Sequence, residues 1–294
     1  MKELVVISGK GGTGKTSVTA AFAALADRPV IADCDVDAAD LHLVLSPRVR
    51  ERHDFYSGHE AVVRREECVK CGACLAHCRF DAVKMDGARA GEATFSIDPA
   101  LCEGCGVCVR FCPVNAIDFP ERLCGEWMVS DTDYGPMAHA CLNAAAENSG
   151  KLVATVRREA KNLAEADNHP LVLVDGPPGI GCPVIASITG ASLVLAVTEP
   201  TVSGEHDLER VLALTKHFKI PAAVCVNKWD INEAMTEAIE AKARDANAIP
   251  AGRIRYDVGV TTAQVMGQPV VVFPESVAAQ DMQTLWKRIQ TMLS

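Results

Sequence analysis

Short runs of aliphatic and β-branched residues alternate along the chain with longer segments in which apolar residues recur at helical spacing. The short runs predict buried strands, and the longer segments predict amphipathic helices. Strands are predicted at residues 4–7, 30–32, 171–174, 193–197, 222–226, 253–256 and 270–273, and helices at 15–26, 149–166, 204–218, 233–246 and 277–293. This alternation predicts an α/β fold in which helices cover both faces of a mostly parallel sheet.

The alternating pattern is interrupted by a cysteine-rich segment. Eight of the 13 cysteines fall between Cys68 and Cys112, and the strand–helix pattern resumes after about residue 125. In an intracellular chain such a density of cysteine favours metal binding over disulfides. We therefore expect one α/β domain formed by residues 1–60 and 121–294, and a small α+β domain inserted at residues 61–120.

A phosphate-binding loop is predicted between the first strand and the first helix. Residues 9–16 read Gly-Lys-Gly-Gly-Thr-Gly-Lys-Thr and fit the pattern G-x-x-x-x-G-K-[ST] in its expected strand–helix context. The backbone N–H groups of such a loop surround a phosphate, Lys15 reaches the β- and γ-phosphates, and Thr16 binds Mg²⁺. The predicted nucleotide-binding residues of the loop are Gly11, Gly12, Thr13, Gly14, Lys15, Thr16 and Ser17.

The cysteines of the interrupting segment form two runs with the same spacing, C-x2-C-x2-C-x3-C. This doubled spacing is typical of bacterial two-cluster ferredoxins, in which the fourth cysteine of each run ligates the other cluster. Zinc is disfavoured, because its sites commonly use pairs of C-x2-C. The predicted ligands are Cys68, Cys71, Cys74 and Cys112 for one [4Fe–4S] cluster, and Cys102, Cys105, Cys108 and Cys78 for the other. The runs differ after the fourth cysteine, which Pro113 follows in one run and Arg79 in the other.

The phosphate loop resembles the deviant Walker A sequence of the MinD, ParA, Mrp and nitrogenase iron-protein class, because Lys10 precedes its glycines. The resemblance implies that Lys10 crosses a dimer interface to the partner's nucleotide. It also implies that Asp35 positions the attacking water, with support from Asp33. A second acidic residue, Asp175, ends an apolar strand and is expected to hold Mg²⁺ through water. The glycines that follow it, Gly176 and Gly179, are expected to leave that turn free to move.

The segment Asn227-Lys228-Trp229-Asp230 is compatible with either of two bases in the bound nucleotide, guanine or adenine. By itself, Asn-Lys-x-Asp is a guanine-binding pattern of GTPases. In the deviant Walker A class the matching asparagine contacts adenine, so ATP is favoured, with Asn227 and Lys228 as predicted binding residues.

Taken together, the motifs resemble those of MinD-superfamily P-loop ATPases that carry an inserted ferredoxin domain. The resemblance also rests on residues 147–151, where Ser149 is predicted to cap a helix. It implies an ATPase that uses ATP, Mg²⁺ and two [4Fe–4S] clusters, and that forms a homodimer or a heterodimer with a related ATPase. Three functions are consistent with it: an ATP-gated electron carrier, which we favour; a carrier of clusters or metals; and a MinD-type positioning ATPase. A redox or metallocluster protein is the expected partner.

Composition excludes other classes of function. The net charge of −9 and the absence of a basic cluster argue against nucleic-acid binding. No stretch reaches the roughly 18–20 apolar residues of a membrane span, and the N-terminus lacks a signal-peptide pattern, so we expect a cytoplasmic protein. The last predicted helix is expected to pack on the sheet rather than on a membrane, through Met282, Leu285, Trp286, Ile289 and Leu293.

Cys182 is a further candidate metal ligand. It lies seven residues after Asp175, an offset at which the nitrogenase iron protein has a cysteine that ligates a cluster shared across its dimer axis. A buried cysteine that packs as a small hydrophobic residue is the alternative.

Overall fold

The computed structural model describes residues 1–87, 93–143, 146 and 149–294, which form two compact units. The first, here called the sheet unit, comprises Met1–His53, Glu126–Cys141 and Ser149–Ser294. The second, the cysteine unit, comprises Asp54–Gly125 and Leu142–Asn148. Residues 147 and 148 and the side chain of Ser149 lie outside the described part, so the predicted cap stays a prediction.

The elements of the described chain follow in sequence order. The strands are β1 (Lys2–Ser8), β2 (Val30–Asp33), β3 (Arg48–His59), β4 (Val62–Val63), β5 (Val83–Asp86), β6 (Thr94–Ile97), β7 (Ile117–Asp118), β8 (Glu121–Thr132), β9 (Gly135–Leu142), β10 (Leu171–Pro178), β11 (Leu193–Thr198), β12 (Ala222–Asn227) and β13 (Ile249–Ile254). The α-helices are α1 (Lys15–Leu25), α2 (Leu41–Leu45), α3 (Ala73–His77), α4 (Val107–Arg110), α5 (Ser149–Ala166), α6 (Cys182–Ile188), α7 (Val202–His217), α8 (Glu233–Asp245), α9 (Val258–Val265) and α10 (Val277–Leu293).

A nine-stranded sheet has the order β13-β12-β11-β1-β10-β2-β9-β8-β3. Neighbouring strands from β13 to β9 pair in parallel, which confirms the predicted α/β fold with a mostly parallel sheet. The central strands are buried along nearly their whole length, as expected for strands with helices on both faces. The carboxyl ends of β1, β2, β10, β11 and β12 meet at one edge, where parallel sheets bind ligands.

Sequence reasoning missed several elements and misplaced one. Residues 270–273, predicted as a strand, form a 3₁₀ turn at Val270–Val272, and that prediction is wrong. Val270 and Val271 pack against the core instead of pairing, after Pro269, which lacks the N–H that a ladder needs, and Val272 is exposed. The missed strands β3, β8 and β9 are rich in charged and small residues, so their apolar alternation is weak.

Helix α10 packs on the sheet unit, as predicted. Met282, Leu285, Trp286, Ile289 and Leu293 are all buried, and the ring of Trp286 lies 4.8 Å from that of Phe22 on α1. No helix in the described ranges is both long enough and apolar enough to cross a membrane.

A buried ion pair fixes α5 against β1. Arg157 Nε and Nη2, one edge of the guanidinium, donate to the two carboxylate oxygens of Glu3 at 2.6 Å each, and Nη1 donates to the carbonyls of Ala186 and Thr189 at 3.0 and 2.6 Å. Lys161 adds a second cation at 3.0 Å from Glu3. The side chains of Glu3 and Arg157 are only 5% and 8% exposed, so the carboxylate depends on these partners rather than on water.

The cysteine unit contains two small antiparallel sheets, β4–β7 and β5–β6, and the short helices α3 and α4. Its two halves repeat the same backbone turns. Gly72 and Gly106 precede α3 and α4 with φ of 75° and 71°, and Asp81 and Asn115 follow the fourth cysteines with φ of 52° and 54°. This repetition matches the repeated cysteine spacing and agrees with an internal duplication.

Candidate functional site

The phosphate loop joins β1 to α1 and takes the backbone form that its glycines permit. Gly12 and Gly14 have φ of 81° and 89°, a left-handed region that residues with a Cβ rarely adopt. A side chain at Gly14 would also meet the Asn227 amide nitrogen, 2.4 Å from an added Cβ. The loop conformation therefore depends on glycine at both positions.

Lys15, in the first turn of α1, lies in an acidic environment. Its ammonium is 2.7 Å from Asp35 Oδ2 and 3.7 Å from Asp175 Oδ2, and its side chain is 8% exposed. Burial disfavours the ammonium, but the two carboxylates outweigh burial and raise the pKa of Lys15. Lys15 is thus charged and buried, as a phosphate-binding cation must be.

Asp175, on β10, is buried and accepts two hydroxyl hydrogen bonds. Thr16 donates to Oδ2 at 2.8 Å and Thr19 to Oδ1 at 3.0 Å. Burial raises the pKa of Asp175, against the opposing charge of Lys15. Asp33 lies beside it on β2, and its Oδ2 atom has no hydrogen-bond partner among the described residues; burial raises the pKa of Asp33 well above the usual value.

A cavity of about 550 Å³ opens beside the loop. Lys15 and Asp35 both border it, so a ligand in the cavity meets the cation and the carboxylate together. Its lining residues are Gly11, Gly12, Gly14, Lys15, Thr16, Ser17, Asp35, Ala38, Asp40, Leu43, Val44, Pro178 and Gln264. The glycine-rich backbone, the buried cation and the Thr16 hydroxyl fit a nucleotide phosphate with Mg²⁺.

Some lining residues escaped the sequence analysis. Leu43 and Val44 come from the short helix α2, and Gln264 comes from α9 and donates to the Ser17 hydroxyl at 3.0 Å. No motif marked them, because they reach the loop only through tertiary packing.

Lys10 is held beside α7 in the same chain. Its ammonium donates to Ser203 Oγ at 3.0 Å and lies 3.7 Å from Glu199 Oε2. The other oxygen of Glu199 is 2.6 Å from Lys228 Nζ. Glu199 follows β11, next to β1 in the sheet, and this strand-end position is a signal that sequence reasoning overlooked.

Asn227 lies behind the phosphate loop. Its amide nitrogen donates to the Thr13 carbonyl at 2.8 Å, and its oxygen accepts from the Lys228 backbone N–H at 3.0 Å. Asp230 accepts from the Tyr256 backbone N–H at 2.8 Å. These two hydrogen bonds of Asn227 thus stabilise the phosphate loop. That Asn227 contacts the base of the nucleotide stays a prediction.

The segment after Asp175 differs from the expected free turn. Strand β10 continues to Pro178, and an added Cβ at Gly176 would lie 2.6 Å from Ile7 Cγ2. Gly176 therefore allows close strand packing, and its part in a turn that moves stays a prediction. Gly179, with φ of 92°, makes the turn, and its N–H donates to the Ser8 carbonyl at 2.8 Å.

The cysteine unit contains two small cavities of about 20 Å³ each. Each is bordered by three cysteines of one run and the fourth cysteine of the other. The first has Cys68, Cys71, Cys74 and Cys112, and the second has Cys102, Cys105, Cys108 and Cys78. No group of His, Cys, Asp or Glu within the described residues is arranged to hold one metal ion. Four thiols spread around a cavity suit the thiolate chemistry of a [4Fe–4S] cluster.

Backbone N–H groups support the fourth cysteine of each run. Burial disfavours the Cys78 thiolate, but the N–H groups of Phe80, Ala82 and Val83 outweigh burial and lower its pKa. The Ala116 N–H donates to Cys112 Sγ at 3.2 Å.

Cys182 is exposed at the start of α6, so it is not the buried packing residue of the alternative interpretation. Its Cβ lies 3.4 Å from the position of an added Cβ at Gly150. A ligand role for Cys182 stays a prediction.

Residues 61–119 match the family described as "4Fe-4S dicluster domain". The structure is similar over 99% of this chain to the septum site-determining protein MinD of Pyrococcus horikoshii, complexed with Mg-ADP, with a TM-score of 0.60 and 18% identity over 96% of that chain. It is also similar over 97% of its length to a ParA family ATPase of Chlorobium tepidum, with a TM-score of 0.56 and 17% identity over 98% of that chain.

Comparison of the sequence with curated proteins identifies relatives of this chain. The uncharacterized protein MJ0578 of Methanocaldococcus jannaschii is 31% identical over 233 residues, which cover 78% of this chain and 79% of the relative. The chain therefore belongs to the family of MJ0578, and it combines a MinD- and ParA-like P-loop fold with a 4Fe–4S dicluster domain.

Proposed function

We propose that the protein binds and hydrolyses Mg-ATP and couples its nucleotide state to electron transfer through two [4Fe–4S] clusters. The proposal assigns nucleotide chemistry to residues 1–60 and 121–294 and the clusters to residues 61–120. The proposal rests mainly on the crossed cysteine arrangement, in which the fourth cysteine at each cavity comes from the other run. The similarity to a MinD structure determined with Mg-ADP supports the nucleotide.

The loop residues account for phosphate binding. When a nucleotide binds, the Lys15 ammonium exchanges Asp35 for phosphate oxygens, and this exchange releases the Asp35 carboxylate at the cavity surface. Asp35 then accepts a hydrogen bond from the attacking water and orients it. Bound Mg²⁺ neutralises charge on the β- and γ-phosphates. The Thr16 hydroxyl donates a hydrogen bond to Asp175, which leaves the oxygen lone pairs of Thr16 for the ion.

Hydrolysis requires a second protomer. Lys10 supplies a cation to the partner's phosphates as negative charge develops there. The second protomer is another copy of this chain or a related ATPase. Bound clusters supply one-electron chemistry, and a redox or metallocluster protein exchanges electrons with them.

The test is an anaerobic redox titration of both clusters without nucleotide, with Mg-ADP and with Mg-ATP. We expect Mg-ATP to shift the midpoint of at least one cluster. Lys15→Ala, which removes the main phosphate-binding cation, should abolish the shift and leave the nucleotide-free curve unchanged. Identical curves in all three states would contradict gating and favour a cluster carrier or a positioning ATPase.

A further inference from the structure

Four polar side chains form a cluster at the start of α7, here called the Lys10 cluster: Lys10, Glu199, Ser203 and Lys228. Lys10 donates to Ser203 at 3.0 Å and lies 3.7 Å from Glu199. Lys228 lies 2.6 Å from the other oxygen of the same carboxylate. These contacts lie within one chain, whereas the proposed function requires Lys10 to act on a second one.

The backbone of Lys10 is fixed against α7. An added Cβ at Gly9 would lie 2.3 Å from Asp207 Cβ and 2.8 Å from its carbonyl carbon, so the loop packs directly on the helix. Ser8 Oγ donates to the Lys10 carbonyl at 2.7 Å. Because the backbone is held, the Lys10 side chain has two main alternatives: the local carboxylate, or phosphate oxygens across an interface.

The ion pair that Lys10 forms with Glu199 in its own chain is weak. One carboxylate faces two ammonium groups, so the cluster has a local excess of one positive charge. The Lys10 and Lys228 side chains are 32% and 34% exposed, and Glu199 is 15% exposed. Ion pairs this exposed contribute little, because water screens them. A triphosphate, with several negative charges, is therefore able to displace Glu199 from Lys10.

We propose that Glu199 is a positioning residue that holds Lys10 in its own chain and competes with the phosphates of the partner. The inference rests on the proposed function, in which Lys10 acts across a dimer. Neutralising Glu199 removes the competitor, so ATP-dependent association should strengthen. An exposed ion pair is worth ~0.5–1 kcal/mol, or about two- to fivefold, and a homodimer of the variant lacks two such pairs, so we expect about a four- to 25-fold effect on dimerisation.

The experiment compares Glu199→Gln with the parent as holoproteins under anaerobic conditions. Sedimentation across a range of protein concentrations gives the midpoint of dimerisation with Mg-ATP, and phosphate release is measured in the same samples. The midpoint should fall about four- to 25-fold in Glu199→Gln, and hydrolysis at low protein concentration should rise by about the same factor. Ser203→Ala removes the other partner of Lys10 and should act in the same direction, which guards against misfolding of one variant.

Glu209→Gln is the matched control. It removes the same charge, on helix α7 that Glu199 precedes, but Glu209 pairs with Lys242 and not with Lys10. It should leave the midpoint at the parental value. In a Lys10→Ala background, Glu199→Gln should give no gain, since it acts through Lys10.

Two results overturn the inference alone: an equal gain from Glu209→Gln, or a gain that persists without Lys10. A parent that does not dimerise with Mg-ATP overturns the proposed function and this inference with it.

Discussion

The buried ion pair between α5 and β1 gives a quantitative test of the sheet unit. Arg157→Met keeps an unbranched apolar side chain of similar length but removes the guanidinium. Glu3 then loses two charge-assisted hydrogen bonds of 2.6 Å, and the carbonyls of Ala186 and Thr189 lose their donors. Removing one partner of a buried pair costs about 3–5 kcal/mol.

The remaining cation places this variant at the low end of that range. Lys161 stays 3.0 Å from Glu3, and its side chain is 35% exposed, so it offsets part of the buried charge. We therefore expect Arg157→Met to lower the free energy of unfolding by about 3 kcal/mol. Arg157→Met combined with Glu3→Gln should cost less than the sum of the two single changes, because no buried carboxylate is then left without Arg157 and Lys161 stays partly exposed to water.

The assay is urea unfolding followed by tryptophan fluorescence. Trp127, Trp229 and Trp286 all lie in the sheet unit, so fluorescence reports its unfolding, while visible absorbance follows the clusters separately. The control is Arg48→Met, whose pair with Asp133 is 71% and 79% exposed and which should change stability by less than about 0.5 kcal/mol. Equal effects of Arg157→Met and Arg48→Met would refute the reasoning.

Three further predictions concern the site and the pH dependence. Lys15→Ala should lose nucleotide binding, whereas Lys10→Ala should bind ATP but lose hydrolysis and dimerisation; calorimetry and phosphate release check this, and parental turnover in Lys10→Ala would contradict the assignment. The protein should hold about eight iron and eight sulfide, and Cys78→Ala about half, by chemical analysis; stoichiometric zinc would contradict the cluster assignment. Burial, with repulsion from His42 and Arg52, lowers the pKa of His139 to about 4. The unfolded chain then binds more protons between about pH 6.5 and 4, so stability should fall by up to about 3 kcal/mol as pH falls through that window. His139→Gln should reduce the dependence of the free energy of unfolding on pH in this window. An unchanged dependence would contradict the assignment of the effect to His139.

Local motifs were sufficient to identify the candidate nucleotide- and cluster-binding residues. The phosphate loop and the cysteine runs are contiguous segments whose spacing is set by the group they bind, so residue order alone identified Lys15, Thr16 and the eight cysteines as candidates. The crossed cavities agree with the ligand sets expected from spacing, because a tight C-x2-C-x2-C turn directs its thiols to one side and leaves the fourth cysteine to the other half. The parallel sheet was predictable for the same reason, since fully buried strands have strongly apolar sequences.

Tertiary structure decided what depends on residues distant in sequence. Gln264 reaches Ser17 across 247 positions, and Glu3 meets Arg157 across 154, so no local pattern reveals either contact. The segment at 270–273 has the composition of a strand, yet Val270–Val272 form a 3₁₀ turn after Pro269, which lacks the N–H that strand pairing needs. Lys10 was recognisable from its position in the loop, but its hold by Glu199 depends on the adjacency of β1 and β11, which only the folded sheet creates.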